Sequence, residues 1–182
     1  MNKQHKCGLY LGRFQPIHIG HTSIINTMLD ECETVIIAVG SAQASGTVKN
    51  PFNFNMRKRL IEEIYELHLD RIKVVPINDR EHYSDDSSWG DYLLKNVYDY
   101  CCLRPDVIYE GYEQERSHWY DECDINVVTF SRIEIPISGT VLRSMLKVDC
   151  TKLALRYLPV SIHKYYDEMR KEILKCSQCQ KI

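Results

Sequence analysis

The stretch that most restricts how this chain can fold is a ten-residue turn, Gly12-Arg13-Phe14-Gln15-Pro16-Ile17-His18-Ile19-Gly20-His21. Lys6 to Leu11 ahead of it reads as a strand, and the residues behind it, out to about Cys32, read as a helix. Strand, glycine turn and helix start, in that order, make the unit with which α/β proteins hold phosphate. The first helical N–H groups lack intrahelical partners, and the helix dipole places partial positive charge on them. Gly12 lets backbone come close to a ligand, and Pro16 is expected in the first helical turn, where its missing N–H costs nothing. His18 and His21 stand three apart and share one helical face where an anion would lie. Arg13 adds a cation beside them.

The rest of the chain repeats the alternation. Thr34 to Val39 is a short β-branched run that reads as a buried parallel strand ended by Gly40. A helix is expected from about Asn55 to Leu67, with Leu60, Ile61, Ile64 and Leu67 on one stripe. Strands follow at Ile72–Ile77, Asp106–Tyr109 and Ile125–Val128, separated by helices at about Trp89–Cys102 and Glu113–Glu122, and a further helix runs from about Val141 to Lys147. This order predicts an α/β fold, a Rossmann-like open parallel sheet with helices on both faces. Ligands are then expected beyond the carboxyl ends of the strands, at the switch point beside the first strand. From Thr151 onward the pattern is all helical, Thr151–Leu158 and Ile162–Leu174 split by Pro159. Residues 1–150 are therefore read as the sheet domain, and 151–182 as a short C-terminal helical segment packed on it.

Composition narrows the function classes. A formal net charge of -2 does not suit a nucleic-acid binder, whereas a nucleotide enzyme needs only local positive charge. With neither a signal peptide nor an apolar run long enough to span a bilayer, no membrane role and a cytoplasmic location are expected. Eight scattered cysteines then read as reduced thiols. Cys176 and Cys179 form a CxxC with no second ligand pair at zinc spacing, so no metal site is expected there.

A second helix start stands at Ile137-Ser138-Gly139-Thr140-Val141-Leu142-Arg143. Ser138 and Thr140 can cap the helix and donate to phosphate, Gly139 permits close approach, and Arg143, one turn in, offers a forked donor. Taken alone, the same string also describes a capped surface helix.

Gly12, Phe14, Pro16, His18, Gly20 and His21 together resemble the GxFxPxHxGH signature of the nucleotidyltransferase superfamily, and Ser138 to Arg143 resembles its second signature, ISGTxxR. The resemblance implies transfer of a nucleotidyl group from a nucleoside triphosphate to a phosphate, with release of pyrophosphate. It assigns His18, His21 and Arg143 to the triphosphate as catalytic groups, and Gly12, Arg13, Phe14, Gly20, Ser138, Gly139 and Thr140 to ATP binding. Mg²⁺ is expected to be held mainly by phosphate oxygens and water, so no carboxylate cage is needed.

Gly12-Arg13-Phe14-Gln15-Pro16 is most similar to the archaeal-type nicotinamide-nucleotide adenylyltransferases, which implies ATP and nicotinamide mononucleotide as substrates and NAD as product. Asn50-Pro51-Phe52 followed by Arg57 resembles that family's NPFTxxER segment, whose Arg contacts substrate phosphate; here Met56 replaces the acid. Ser88-Trp89 resembles the place where that family lays a Trp over the nicotinamide ring. An indole suits that flat cation, though Trp119 competes for the role and Trp89 reads equally as helix packing. Asp79 is either a hydrogen-bond acceptor for the carboxamide or a solvated loop carboxylate. Tyr112 and the charged run Glu113-Gln114-Glu115-Arg116 depart from the family pattern. The alternatives are a sister enzyme with another acceptor, such as pantetheine phosphate or flavin mononucleotide, and a sensor that binds nucleotide without turnover. The C-terminal helices either cover the sheet or build a homo-oligomer contact.

Overall fold

The apolar runs form five strands, β1 (His5–Gly12), β2 (Cys32–Val39), β3 (Ile72–Pro76), β4 (Val107–Gly111) and β5 (Asn126–Phe130). In this computed structural model, which describes residues 3–80, 88–111, 119–131 and 136–178, they make one sheet of order β3-β2-β1-β4-β5. All four strand pairings are parallel. The helices are α1 (Ile19–Glu31), α2 (Phe54–Ile64), α3 (Ser88–Cys101), α4 (Gly139–Lys147), α5 (Thr151–Ala154) and α6 (Tyr166–Gln178).

Alternation along the strands sorts the core into two layers. Tyr10, Val35, Ile37, Val39 and Tyr109 face a layer built with α1, α2, α4 and α6. Leu9, Leu11, Ile36, Ala38 and Ile108 face the other, closed by Leu93 and Val97 of α3. Central strands covered on both sides need unbroken apolar sequence, which Val35 to Val39 supplies. The chain steps from β1 to β2 to β3 in one direction and then returns past β1 to β4. Right-handed crossovers demand that α3 switch faces at that reversal, as it does. The crevice between the carboxyl ends of β1 and β4 follows from this topology.

The C-terminal segment joins the first layer, with Ala154, Leu158, Ile162, Tyr166, Met169 and Ile173 in the same apolar cluster as α1 and α2. Several expectations are corrected. The second helix ends at Ile64, and a 3-10 turn at Glu66–His68 leaves Leu67 90% exposed, because the chain must turn here to reach β3. The first C-terminal helix is only Thr151–Ala154, and a 3-10 turn at Val160–Tyr165 precedes α6. Of the expected helix at Glu113–Glu122, the residues from 119 on form turns, while Tyr112 and Glu113-Gln114-Glu115-Arg116 lie outside the described residues. Among the described residues no helix is long and apolar enough to cross a membrane.

Asp106, just ahead of β4, ties that strand to the start of β1. Its carboxylate accepts the backbone N–H groups of Lys6 at 3.0 Å and Cys7 at 2.9 Å. Burial pushes this carboxyl up, but those N–H groups outweigh it and hold its pKa below the ordinary value of 3.8. A depressed carboxyl stabilises the fold above its unfolded pKa, and that contribution is lost as pH falls through the folded one. Asp106→Asn is therefore expected to be less stable than the parent at neutral pH. The difference should shrink once pH drops below about 4. Urea denaturation across that range reads it, and a constant difference would contradict the assignment.

Candidate functional site

Two helix openings meet at the crevice. In the first, Phe14 adopts a left-handed backbone (φ 48°) that folds its ring back over Gly12. A Cβ at Gly12 would stand 2.8 Å from that ring, so this glycine makes room for the chain's own phenyl group. Phe14, 1% exposed, packs edge-on against Tyr10 at 5.7 Å and beneath His21 at 4.8 Å between ring centroids. Pro16, joined to Gln15 by a cis bond, lies ahead of the helix rather than in its first turn. The helix opens instead at His18, the extended N-cap residue.

His18 and His21 stack with centroids 3.7 Å apart. The His18 N–H donates to Nδ1 of His21 at 3.3 Å, which makes Nε2 the protonated nitrogen of the neutral His21 ring. The amino end of α1 differs from the bare anion site expected. The Ile19 N–H donates to the Tyr157 carbonyl at 3.0 Å, and the His21 N–H turns back to the His18 carbonyl at 2.8 Å. With those two donors occupied, the helix end has fewer open N–H groups than expected, and Gly20 is the first-turn residue between them that lines the cleft.

In the second opening, Ser138 caps α4, its Oγ accepting the Val141 N–H at 3.3 Å. Gly139 lies so near the first turn that a Cβ there would stand 3.0 Å from the Gln15 carbonyl oxygen. Arg143 donates through Nη1 to that same carbonyl at 2.8 Å and through Nη2 to Thr140 Oγ1 at 3.1 Å. Burial, and then the neighbouring Arg13 charge, push the Arg143 guanidinium below its usual pKa.

His18, His21, Arg13, Ser138, Gly139, Thr140 and Arg143, with Gly12, Phe14 and Gly20, line one cleft of about 300 Å³. Among the described residues, its walls hold two guanidinium groups, two imidazoles and no carboxylate. A lining of this kind concentrates positive potential.

The three residues assigned to the acceptor do not line this cleft. Arg57 is wholly enclosed. It donates to four backbone carbonyls, those of Arg13, Gly40, Ser41 and Asn53, at 2.7–3.3 Å. Burial lowers its pKa to about 10, against the opposing pull of Asp79, so it stays charged at neutral pH. Arg57 thus joins the loops of Arg13, Gly40–Ser41 and Asn53 and does not line the cleft. Asp79 is exposed, but its oxygens accept from Ser41 Oγ at 2.9 Å and Gln43 Nε2 at 3.0 Å. Trp89 is 5% exposed, stacked on Tyr92 and edge-on to Trp119, so its ring is packed within the protein here.

Gln15, quoted in the first motif without a site role, lines the cleft too, and so do Tyr10, Ser23, Ile24, Gly111, Phe130 and Ser131, which were given no site role from sequence. Gly111 and Phe130 end β4 and β5, so the rule that ligands sit beyond strand carboxyl ends could have found them. Ser23 and Ile24 lie one turn along α1 from Gly20 and carry no signal of their own.

The Cytidylyltransferase-like family matches residues 9–164. A nicotinamide-nucleotide adenylyltransferase of Thermococcus kodakarensis is 37% identical over 110 residues, covering 58% of this chain and 54% of that protein. The enzyme of the same name from Saccharolobus solfataricus is 43% identical over 75 residues, 40% of this chain and 44% of its own length. The chain thus spans about half the length of the curated relatives it matches. Among solved structures, a bifunctional NMN adenylyltransferase/ADP ribose pyrophosphatase from Francisella tularensis, complexed with AMP and a Mn ion, superposes with a TM-score of 0.73. It is 21% identical, with 96% of this chain and 52% of that one covered, which establishes the fold. With the matched region reaching from β1 through α4 and taking in both helix openings, the chain belongs to the Cytidylyltransferase-like family.

Proposed function

We propose that this protein transfers the adenylyl group of ATP to nicotinamide mononucleotide, releasing pyrophosphate and forming NAD. The observation that carries the reading is the meeting of His18, His21, Arg13 and Arg143 in one cleft. A triphosphate brings about four negative charges, and phosphoryl-type transfer is catalysed chiefly by positioning and charge stabilisation. Arg143 and Arg13 hold phosphate oxygens, and Nε2 of His21 donates to the charge growing toward the leaving pyrophosphate. His18, stacked on His21, keeps that ring in place and faces the same phosphates. An acceptor phosphate oxygen then attacks the α-phosphorus in line, so no protein nucleophile takes part. The hydroxyls of Ser138 and Thr140 sit at the mouth of α4 as further donors.

A divalent ion fits this site as part of the substrate. Among the described residues, the cleft lining supplies hydroxyls, imidazoles and guanidinium groups, and Mg²⁺ would be carried on phosphate oxygens and water. When bound, it would neutralise charge on the departing pyrophosphate.

Support for nicotinamide mononucleotide as acceptor comes from the relatives' names and the Gly12–His21 motif. The enclosure of Arg57 and Trp89 leaves their share in acceptor binding unsupported and favours testing other phosphorylated acceptors alongside. Pyrophosphate release is to be measured with ATP and, in turn, nicotinamide mononucleotide, pantetheine phosphate and flavin mononucleotide. Release with the first alone, together with NAD formation, is the expected result. Release only with another acceptor would reassign the substrate, and nucleotide binding without release would favour the sensor.

A further inference from the structure

We propose that Gln15 is a positioning residue, which sets the Arg143 guanidinium in the cleft by locking the 13–15 turn to the backbone of Phe52. The inference rests on the proposed role of Arg143 at the triphosphate.

Gln15 is 3% exposed, and both ends of its amide are used on one residue. Nε2 donates to the Phe52 carbonyl at 2.8 Å, and Oε1 accepts the Phe52 N–H at 3.0 Å. Such a pair fixes orientation as well as distance, as a rung of a β-ladder does. Phe52 is itself wholly buried, and the next residue, Asn53, caps α2 by accepting the Met56 N–H at 2.9 Å. The amide is therefore anchored to a rigid helix start. The backbone of Gln15 turns the other way. Its carbonyl accepts Nη1 of Arg143 at 2.8 Å and stands where a Cβ on Gly139 would press against it. One residue thus joins the start of α2, the first phosphate turn and the guanidinium of α4. Arg143 has five N–H donors in a flat fork, so a fixed carbonyl on one arm sets the direction of the others.

The test is a double-mutant cycle read by calorimetric ATP binding and by pyrophosphate release. Gln15→Met keeps length and volume but loses both amide bonds. It is expected to weaken ATP binding about tenfold in the parent, the scale of one compromised charge-assisted hydrogen bond. In an Arg143→Ala background the same change should cost no more than about twofold, because the group it acts through is gone. Equal losses in both backgrounds would overturn the positioning role and leave the site reading intact. Arg143→Ala binding ATP as tightly as the parent would remove the site reading and this inference with it. Gln15→Glu serves if the Met variant does not fold. Its carboxylate still accepts the Phe52 N–H, and only its protonated form can donate to the Phe52 carbonyl. ATP affinity relative to the parent should then recover as pH is lowered, and a flat ratio would contradict the proposal.

Discussion

His18→Ala is expected to lower turnover by about 10²–10³-fold, the cost of about 2.7–4 kcal/mol found when one preorganised donor to a developing charge is removed. The ring is 6% exposed, lies at the mouth of α1 and stacks on His21, so its loss affects both the phosphate contact and the ring that shares the cleft. Stability should change far less than activity. The backbone of this residue holds the helix opening, its carbonyl accepting the N–H groups of His21 and Thr22 and its own N–H donating to His21. Steady-state kinetics with thermal melts of the same preparations separate the two effects. A folded variant with near-parental turnover would mean that the imidazole takes no part in the chemistry.

Arg57→Ala should give the largest loss of stability, about 3–5 kcal/mol, as expected when a buried charged hub is cut away from its partners. The side chain has no exposure, and its removal takes the guanidinium from the carbonyls of Arg13 and Gly40 in a low-dielectric interior, while those of Ser41 and Asn53 keep the backbone N–H groups of Ala44 and Arg57. Arg57→Lys should recover little, because a single ammonium cannot reproduce a planar fork that reaches several loops at once. Denaturant unfolding measures the loss. Were Arg57→Ala to melt like the parent and only raise the KM for the phosphorylated acceptor, the residue would be a ligand contact and its structural role would be wrong.

These two residues show how far the sequence could be read. His18 belongs to a motif whose members are contiguous, so its place in a strand–turn–helix unit was visible before any fold was known. Arg57 also stood in a recognisable segment, but the partners of its guanidinium lie 44, 17, 16 and 4 residues away, and no local pattern reveals that all four carbonyls converge on it. Trp89 makes the same point. An indole that could stack on a ligand and one that closes a core look identical in sequence, and the burial against Tyr92 and Trp119 separates them.

By itself, the order of residues determined the alternation of strands and helices, the parallel sheet, and the two helix openings that carry the imidazoles and the guanidinium. Hydrophobic period and turn chemistry are properties of neighbours along the chain, so they survive without a fold. Only the tertiary structure decided which polar groups remain available to a ligand. Gln15 reaches Phe52 across 37 positions and Arg143 across 128, and whether a donor is occupied or open depends on such distant partners.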